Sequence, residues 1–221
     1  MVVDPHLLPL STQCVMQTPD KGPAHVRIRY EHVRHRTHPR AGIRGPMTGT
    51  ERRALRLGVT GHRSLHHEAE LRRAVNLAID HALEVRYAEG DPGDLIVVSA
   101  LAEGADRLVV HECLRRDGAA LEAVLPLPMG EYTKDFDTAV SRREFADLVS
   151  LAVVVEVAET MPTREQAYER AGHMMVDRSD AIVAVWDGLP ARGRGGTADI
   201  VTYAQDRRVP VIRVDSGNGQ R

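Results

Sequence analysis

From Leu55 onward, six short apolar runs rich in β-branched residues alternate with longer stretches of helical periodicity, and no other feature limits the fold so sharply. The runs are Leu55–Thr60, Leu95–Ser99, Leu121–Leu127, Leu151–Val157, Ala181–Trp186 and Val209–Val214. Such alternation is the pattern of successive βα units. LIVVSA, LAVVVEV and AIVAVW are apolar almost throughout, which predicts strands covered on both faces, as in a parallel sheet. The expectation is an α/β domain over residues 53–216, with a doubly wound, mainly parallel Rossmann-like sheet in a three-layer α/β/α arrangement.

The stretches between the runs carry helix punctuation. Over about 66–88, Leu71, Val75, Ala78, Ala82 and Val85 fall on one stripe. A second helix over about 105–116 stops at Asp117-Gly118. A weaker one covers about 138–149. A fourth begins at Thr163, where Thr163-Arg164-Glu165-Gln166 has capping-box spacing, and turns Ala167, Ala171, Met174 and Met175 inward. The last opens at Thr197 and runs to about Arg207.

Residues 1–52 show no sustained periodicity and are rich in Pro, His and Arg. They read as a basic tail, either disordered or a spurious extension upstream of Met47, and residues 217–221 read as a second short tail. Within residues 1–50, seven Lys and Arg face three Asp and Glu, a balance of +4, whereas the remainder carries −6. A mildly acidic folded part argues against a large nucleic-acid footprint. Cys14 and Cys113 read as free thiols of a reducing compartment. No run reaches the roughly 18 apolar residues of a membrane span, and no leader pattern opens the chain. The expected location is the cytoplasm.

In a doubly wound sheet the strand-to-helix loops gather along one edge, where ligands bind. After the first strand come Thr60, Gly61, His62, Arg63 and Ser64. Glycine lets backbone N–H groups approach an anion, a helix N-terminus favours negative charge, and Arg63 adds a charge-assisted donor. A tight structural turn explains the same residues. Neither GxGxxG nor GxxxxGK[ST] occurs, which removes the main support for dehydrogenase and P-loop readings.

After the second strand, Ser99, Ala100, Glu103, Gly104 and Asp106 form either a second anion cradle or a loop in which Asp106 complements the helix dipole. Pro126 and Leu127 after the third strand are rigid and apolar, suited to the face of a base. After the fifth strand come Asp187 and Gly188, then Arg192 and Arg194, then Gly195-Gly196-Thr197 entering the last helix. This glycine-rich entry is the best phosphate-loop candidate, and its arginines either close over an anion or are solvated. HExxH and CxxC are absent, and His66 and His67 adjoin, so they diverge on a helix. No metal site or cofactor is expected.

At these loops the chain resembles the LOG-like, or SLOG, superfamily of Rossmannoid nucleotide-binding proteins. That group includes phosphoribohydrolases, DNA-processing protein A and sensor domains of bacterial nucleotide signalling. The resemblance covers about Leu55 to Val214. Val97-Val98-Ser99 through Ala102-Glu103-Gly104-Ala105-Asp106 resembles the SGxARGID segment of DNA-processing protein A, and Gly195-Gly196-Thr197 is similar to the end of the phosphoribohydrolase PGGxGTxxE motif. Ser179–Gly188 and Thr197-Ala198 are also similar to nucleoside deoxyribosyltransferases.

The resemblance implies a small-molecule nucleotide ligand, ADP-ribose-like or otherwise NAD-derived, and a homodimer. It implies phosphate at Gly61–Ser64 and Gly195–Thr197, with Ser99, Gly104 and Asp106 holding ribose or a second phosphate. Both enzyme families carry a glutamate three residues beyond the threonine, where this chain has Ile200. An isoleucine supplies neither a nucleophile nor a proton. The expectation is therefore a non-catalytic nucleotide sensor. One alternative is an N-glycosidic hydrolase or transferase using Asp199, Glu103 or Asp106. The other is a single-stranded nucleic-acid binder, which the acidic domain disfavours.

Overall fold

The structure, a computed structural model, describes residues 28–31, 54–88, 94–190 and 195–217. Its chain order begins with strand β1 (Ile28–Glu31), β2 (Leu55–Gly61), helix α1 (Glu68–Ala88), β3 (Leu95–Ser99) and α2 (Ala105–Leu114). It continues with β4 (Ala120–Leu125), the short α3 (Met129–Tyr132), a 3₁₀ turn (Thr133–Asp135), α4 (Ala139–Leu151) and β5 (Val154–Val157). It ends with α5 (Arg164–Asp177), β6 (Ala181–Val185), α6 (Thr197–Asp206) and β7 (Val211–Val214). Six strands, β2 to β7, are mutually parallel.

The sheet order is β1-β7-β6-β2-β3-β4-β5. After β2 the chain steps outward through β3, β4 and β5, then returns to the other side of β2 for β6 and β7. That reversal lies between β2 and β6, and such a topological switch point opens a crevice beyond the strand ends. Side chains alternate across the sheet as the pleat demands. Leu57, Val59, Val97, Leu121, Val183 and Val185 pack under α1, α2 and α4. Val98, Val124, Ile182 and Ala184 pack under α5 and α6. The three-layer α/β/α architecture follows from those two cores.

Local signals account for the element ends. The Thr138 hydroxyl accepts from the Ser141 amide at 3.0 Å to open α4. Thr163 and Gln166 bond reciprocally as a capping box at α5. Ala167, Ala171, Met174 and Met175 are buried, as their spacing predicts. Val85, placed on the same stripe as Leu71 and Val75, is instead 42% exposed. The helix outruns the sheet there.

Two strands depart from expectation. LAVVVEV is not covered on both faces: α4 runs through Leu151, β5 starts only at Val154, and Val153, Val154, Val155 and Val157 are exposed. The cause is position, since β5 is a sheet edge and not an inner strand. The opposite edge is formed by β1, which pairs antiparallel with β7 from within the segment read as a tail. Among the described residues, no helix is long and apolar enough to cross a membrane.

Opposite the crevice, the strand starts are tied together by Arg56. Its guanidinium forms a two-pronged pair with Glu122 of β4, and its Nε donates to the Arg178 carbonyl at 2.7 Å. Its amide donates to the Asp180 carboxylate at 3.0 Å.

Candidate functional site

The ends of β2, β3 and β6 enclose a cavity of about 1090 Å³, somewhat above the roughly 300–1,000 Å³ usual for a small-molecule site. Its first wall is the loop after β2. A Cβ on Gly61 would lie 2.4 Å from the Ala105 Cβ and 2.5 Å from the Val185 carbonyl oxygen, so the glycine is required by close packing. The His62 amide donates to the Val185 carbonyl at 3.1 Å, and the His62 carbonyl accepts from the Ala105 amide at 3.0 Å. His62 is thereby stitched between β6 and α2. Its ring reaches Asp187, with Nε2 and Oδ1 3.1 Å apart. Burial pushes the Asp187 carboxyl up, but the Leu189 amide and His62 outweigh it and hold the group below its ordinary range.

Arg63 lies over the Tyr168 ring, 5.2 Å from its centroid, an arrangement favourable for a guanidinium. Burial opposes its charge, but the hydroxyl of Tyr168 and the fields of nearby groups keep its pKa above the ordinary value. The Tyr168 hydroxyl donates onward to Asp135, which also pairs with Arg164 at 2.5 Å.

The loop after β3 closes on itself. The Ser99 hydroxyl donates to Asp106 Oδ2 at 3.0 Å and accepts from the Leu101 amide at 3.0 Å, while the Ala102 amide reaches the same Oδ2 at 3.4 Å. An internal carboxylate thus occupies donors that a phosphate would need, which argues against this loop as a second anion cradle. Gly104 has φ +78°, and a Cβ there would meet the Arg63 carbonyl oxygen at 2.2 Å. Asp106 is pushed up to about 6, chiefly by burial, against the opposing effects of Ser99, Ala102 and Arg63.

The third wall is the β6 loop with the start of α6. Gly188, at φ +84°, packs its backbone against the Arg213 guanidinium, which donates to the Asp187 carbonyl at 2.7 Å. Gly195, at φ +76°, abuts the Glu169 backbone and donates its amide to Asp199 at 3.0 Å. Helix α6 has Gly196 as its N-cap and no side-chain cap. The amides of Thr197 and Ala198 belong to the four that every helix leaves unpaired at its start. Both residues line the cavity.

Of the residues singled out in the sequence, Thr60, Gly61, His62, Arg63 and Ser64 line the cavity, as do Ala100, Asp106, Asp187, Gly195, Gly196 and Thr197. Others do not. Ser99 and Gly104 support the wall from behind, and Gly188 backs onto Arg213. Pro126 and Leu127 lie beyond the lining, with Leu127 packed against the core, so they offer no face to a base in this cavity. The Glu103 carboxylate accepts from the Ser141 hydroxyl of α4 and does not line the cavity. Arg192 and Arg194 fall outside the described residues.

Three aromatic lining residues were not anticipated: Tyr132, Tyr168 and Trp186. Tyr168 lies at i, i+3, i+4 and i+7 spacing with Ala171, Gly172 and Met175, so the helical pattern of α5 carried the signal. Tyr132 had none, because no element was predicted over α3. Ile200, at the position of the family glutamate, is 3% exposed, and a Cβ on Gly172 of α5 would meet its Cδ1 at 2.3 Å. That position serves helix packing.

The cavity is therefore lined by the start of α6, by aromatic surface from Tyr132, Tyr168 and Trp186, and by the buried Asp106 carboxyl with Arg63. No protein-family model matches the chain, and no curated protein matches it.

Proposed function

We propose that this protein binds a nucleotide in the switch-point crevice as a non-catalytic sensor of SLOG type, with an ADP-ribose-like or other NAD-derived ligand. The observation that carries the reading is the cavity itself: it joins the start of α6 to the β2 and β3 loops at the point where the sheet order reverses. The phosphate lies at the Thr197 and Ala198 amides, where the helix dipole favours an anion. The absence of turnover rests on Ile200, buried in the α5–α6 contact, and on Glu103 and Asp199, each held by an internal partner.

The test is a thermal-shift panel on the full chain with AMP, ADP-ribose, NAD and cyclic ADP-ribose, followed by chromatography of each mixture. A stabilising shift with intact ligand supports the sensor. No shift with any of them removes the nucleotide reading. A shift with released base favours a second reading, an N-glycosidic hydrolase. That reading draws on Asp106, a carboxyl that titrates near 6 beside the cavity.

The homodimer implied by the resemblance is assigned here to the β5 edge. A two-fold axis through Val155 sets Val153 opposite Val157 and Val154 opposite Glu156, so no like charges face each other directly.

A further inference from the structure

We infer that the part of the cavity lined by Asp106, Tyr132 and Arg63 is a subsite for the vicinal hydroxyls of a ribose. The inference rests on the nucleotide reading and deepens it, because it assigns the sugar and not a second phosphate to this part.

Tyr132 is the main observation. Its side chain is 0% exposed, it lines the cavity, and its hydroxyl has no hydrogen-bond partner among the described residues. The ring is fixed by neighbours: Phe136 and Phe145 have centroids 5.0 and 5.4 Å away, and Tyr168 lies at 5.9 Å. A buried phenol without a partner is a standing cost to the free protein, and a ligand group that bonds to it removes that cost. Asp106 and Arg63 line the same cavity, and Arg63 lies over the Tyr168 ring that packs edge-on against Tyr132.

The chemistry of the three groups selects the occupant. The Ser99 hydroxyl and Ala102 amide both bond to one Asp106 oxygen, Oδ2, and the Ala100 amide lies nearby. A carboxylate accepts about four bonds, so acceptor capacity remains for a ligand donor. A phenol both donates and accepts, and a guanidinium only donates. Together they match a group that donates to the carboxylate and accepts from the arginine, which a hydroxyl pair does. A phosphate fails the first requirement and is repelled by Asp106 when ionised.

The experiment is calorimetric titration of the full chain with AMP, 2′-deoxy-AMP and 2′,3′-dideoxy-AMP, for the wild type and for Tyr132→Phe. The wild type is expected to bind AMP at least about tenfold tighter than the dideoxy form, the scale of a lost hydrogen bond to a buried polar group. In Tyr132→Phe that preference shrinks several-fold while dideoxy-AMP binding is unchanged. The melting temperature of the free variant stays level or rises, because an unpartnered hydroxyl has gone and the ring contacts remain. A merely structural role for Tyr132 predicts the reverse, a destabilised protein that loses all three ligands equally, and that result overturns the inference. Equal binding of the three nucleotides by the wild type also overturns the ribose subsite but leaves the nucleotide reading standing. If none of the three binds, the ribose subsite falls, and the thermal-shift panel with ADP-ribose and NAD decides the nucleotide reading.

Discussion

The Asp199 carboxylate accepts a hydrogen bond from the Gly195 amide at 3.0 Å, so the glycine loop at the start of α6 is clasped by an acid from its own helix. An acid in the first turn also complements the helix dipole. Asp199→Ala should therefore cost about 1 kcal/mol of stability, the usual net worth of one hydrogen bond. Phosphate-bearing ligands should bind the variant more tightly, because a negative charge has left the site. Denaturant unfolding and titration with ADP-ribose measure the two effects, and weaker binding would return Asp199 to the role of a ligand-contacting acid.

Two glycines with positive φ separate backbone strain from close packing. Gly118 (φ +74°) has only Asp94 Oδ1 near its missing Cβ, at 3.5 Å, whereas Gly104 (φ +78°) faces the Arg63 carbonyl oxygen at 2.2 Å. Gly118→Ala should cost the roughly 1–2 kcal/mol of a left-handed alanine. Gly104→Ala must also part the β2 and β3 loops and should lose about 3 kcal/mol or more. Equal losses in urea titrations would mean that the two loops are not in the contact described.

The buried Asp106 makes stability depend on pH with a defined sign. Its folded value of about 6 stands above the ordinary 3.8. Between about pH 4 and 6 the folded protein therefore holds a proton that the unfolded chain has released, and this contribution declines as pH rises. The shift amounts to about 3 kcal/mol across the window. Glu112, Glu144 and Asp187 are shifted downward and act in the opposite direction, so the quantity to measure is wild type minus Asp106→Asn. That difference should fall with rising pH through the window; a level difference would exclude Asp106 as a buried titrating acid.

At the β5 edge, the proposed pairing of two copies is open to direct test. Val155 is 45% exposed and lies on the assigned axis. Val155→Lys would bring two like charges together there, which is how edge strands resist association. Sedimentation should find a dimer in the wild type and a monomer in the variant, with unchanged melting of the isolated fold. A wild type that is monomeric, or a dimer that the lysine leaves intact, removes this edge as the interface.

The parallel sheet was legible because its inner strands are almost wholly buried and so read as unbroken apolar runs, as in β3 and β6. The same rule misread β5, whose valines face solvent, since composition does not distinguish an edge strand from an inner one. The glycine loops were legible as a site because parallel topology gathers strand ends. Whether a loop residue faces the cavity depended on contacts with other elements: Ser141 draws Glu103 away, and Arg213 claims Gly188. Tyr132 was hidden for a similar reason, because its burial is set by α4 and α5 and not by its neighbours in sequence.

The Arg56 cluster sits at the end of β2 remote from Gly61, and its partners are buried only in part, with Arg56 26% and Glu122 10% exposed. Its loss should fall between the costs of a surface pair and a fully buried one, so Arg56→Met is expected to remove about 2 kcal/mol. Nucleotide affinity, followed by titration at a temperature where the variant is fully folded, should not change.

One strand therefore answers to two kinds of selection. Drift at its Arg56 end registers as cellular abundance, through the fraction of chains cleared by quality control. On the proposed reading, drift in the loop beyond its Gly61 end registers as a change in the ligand that the crevice takes.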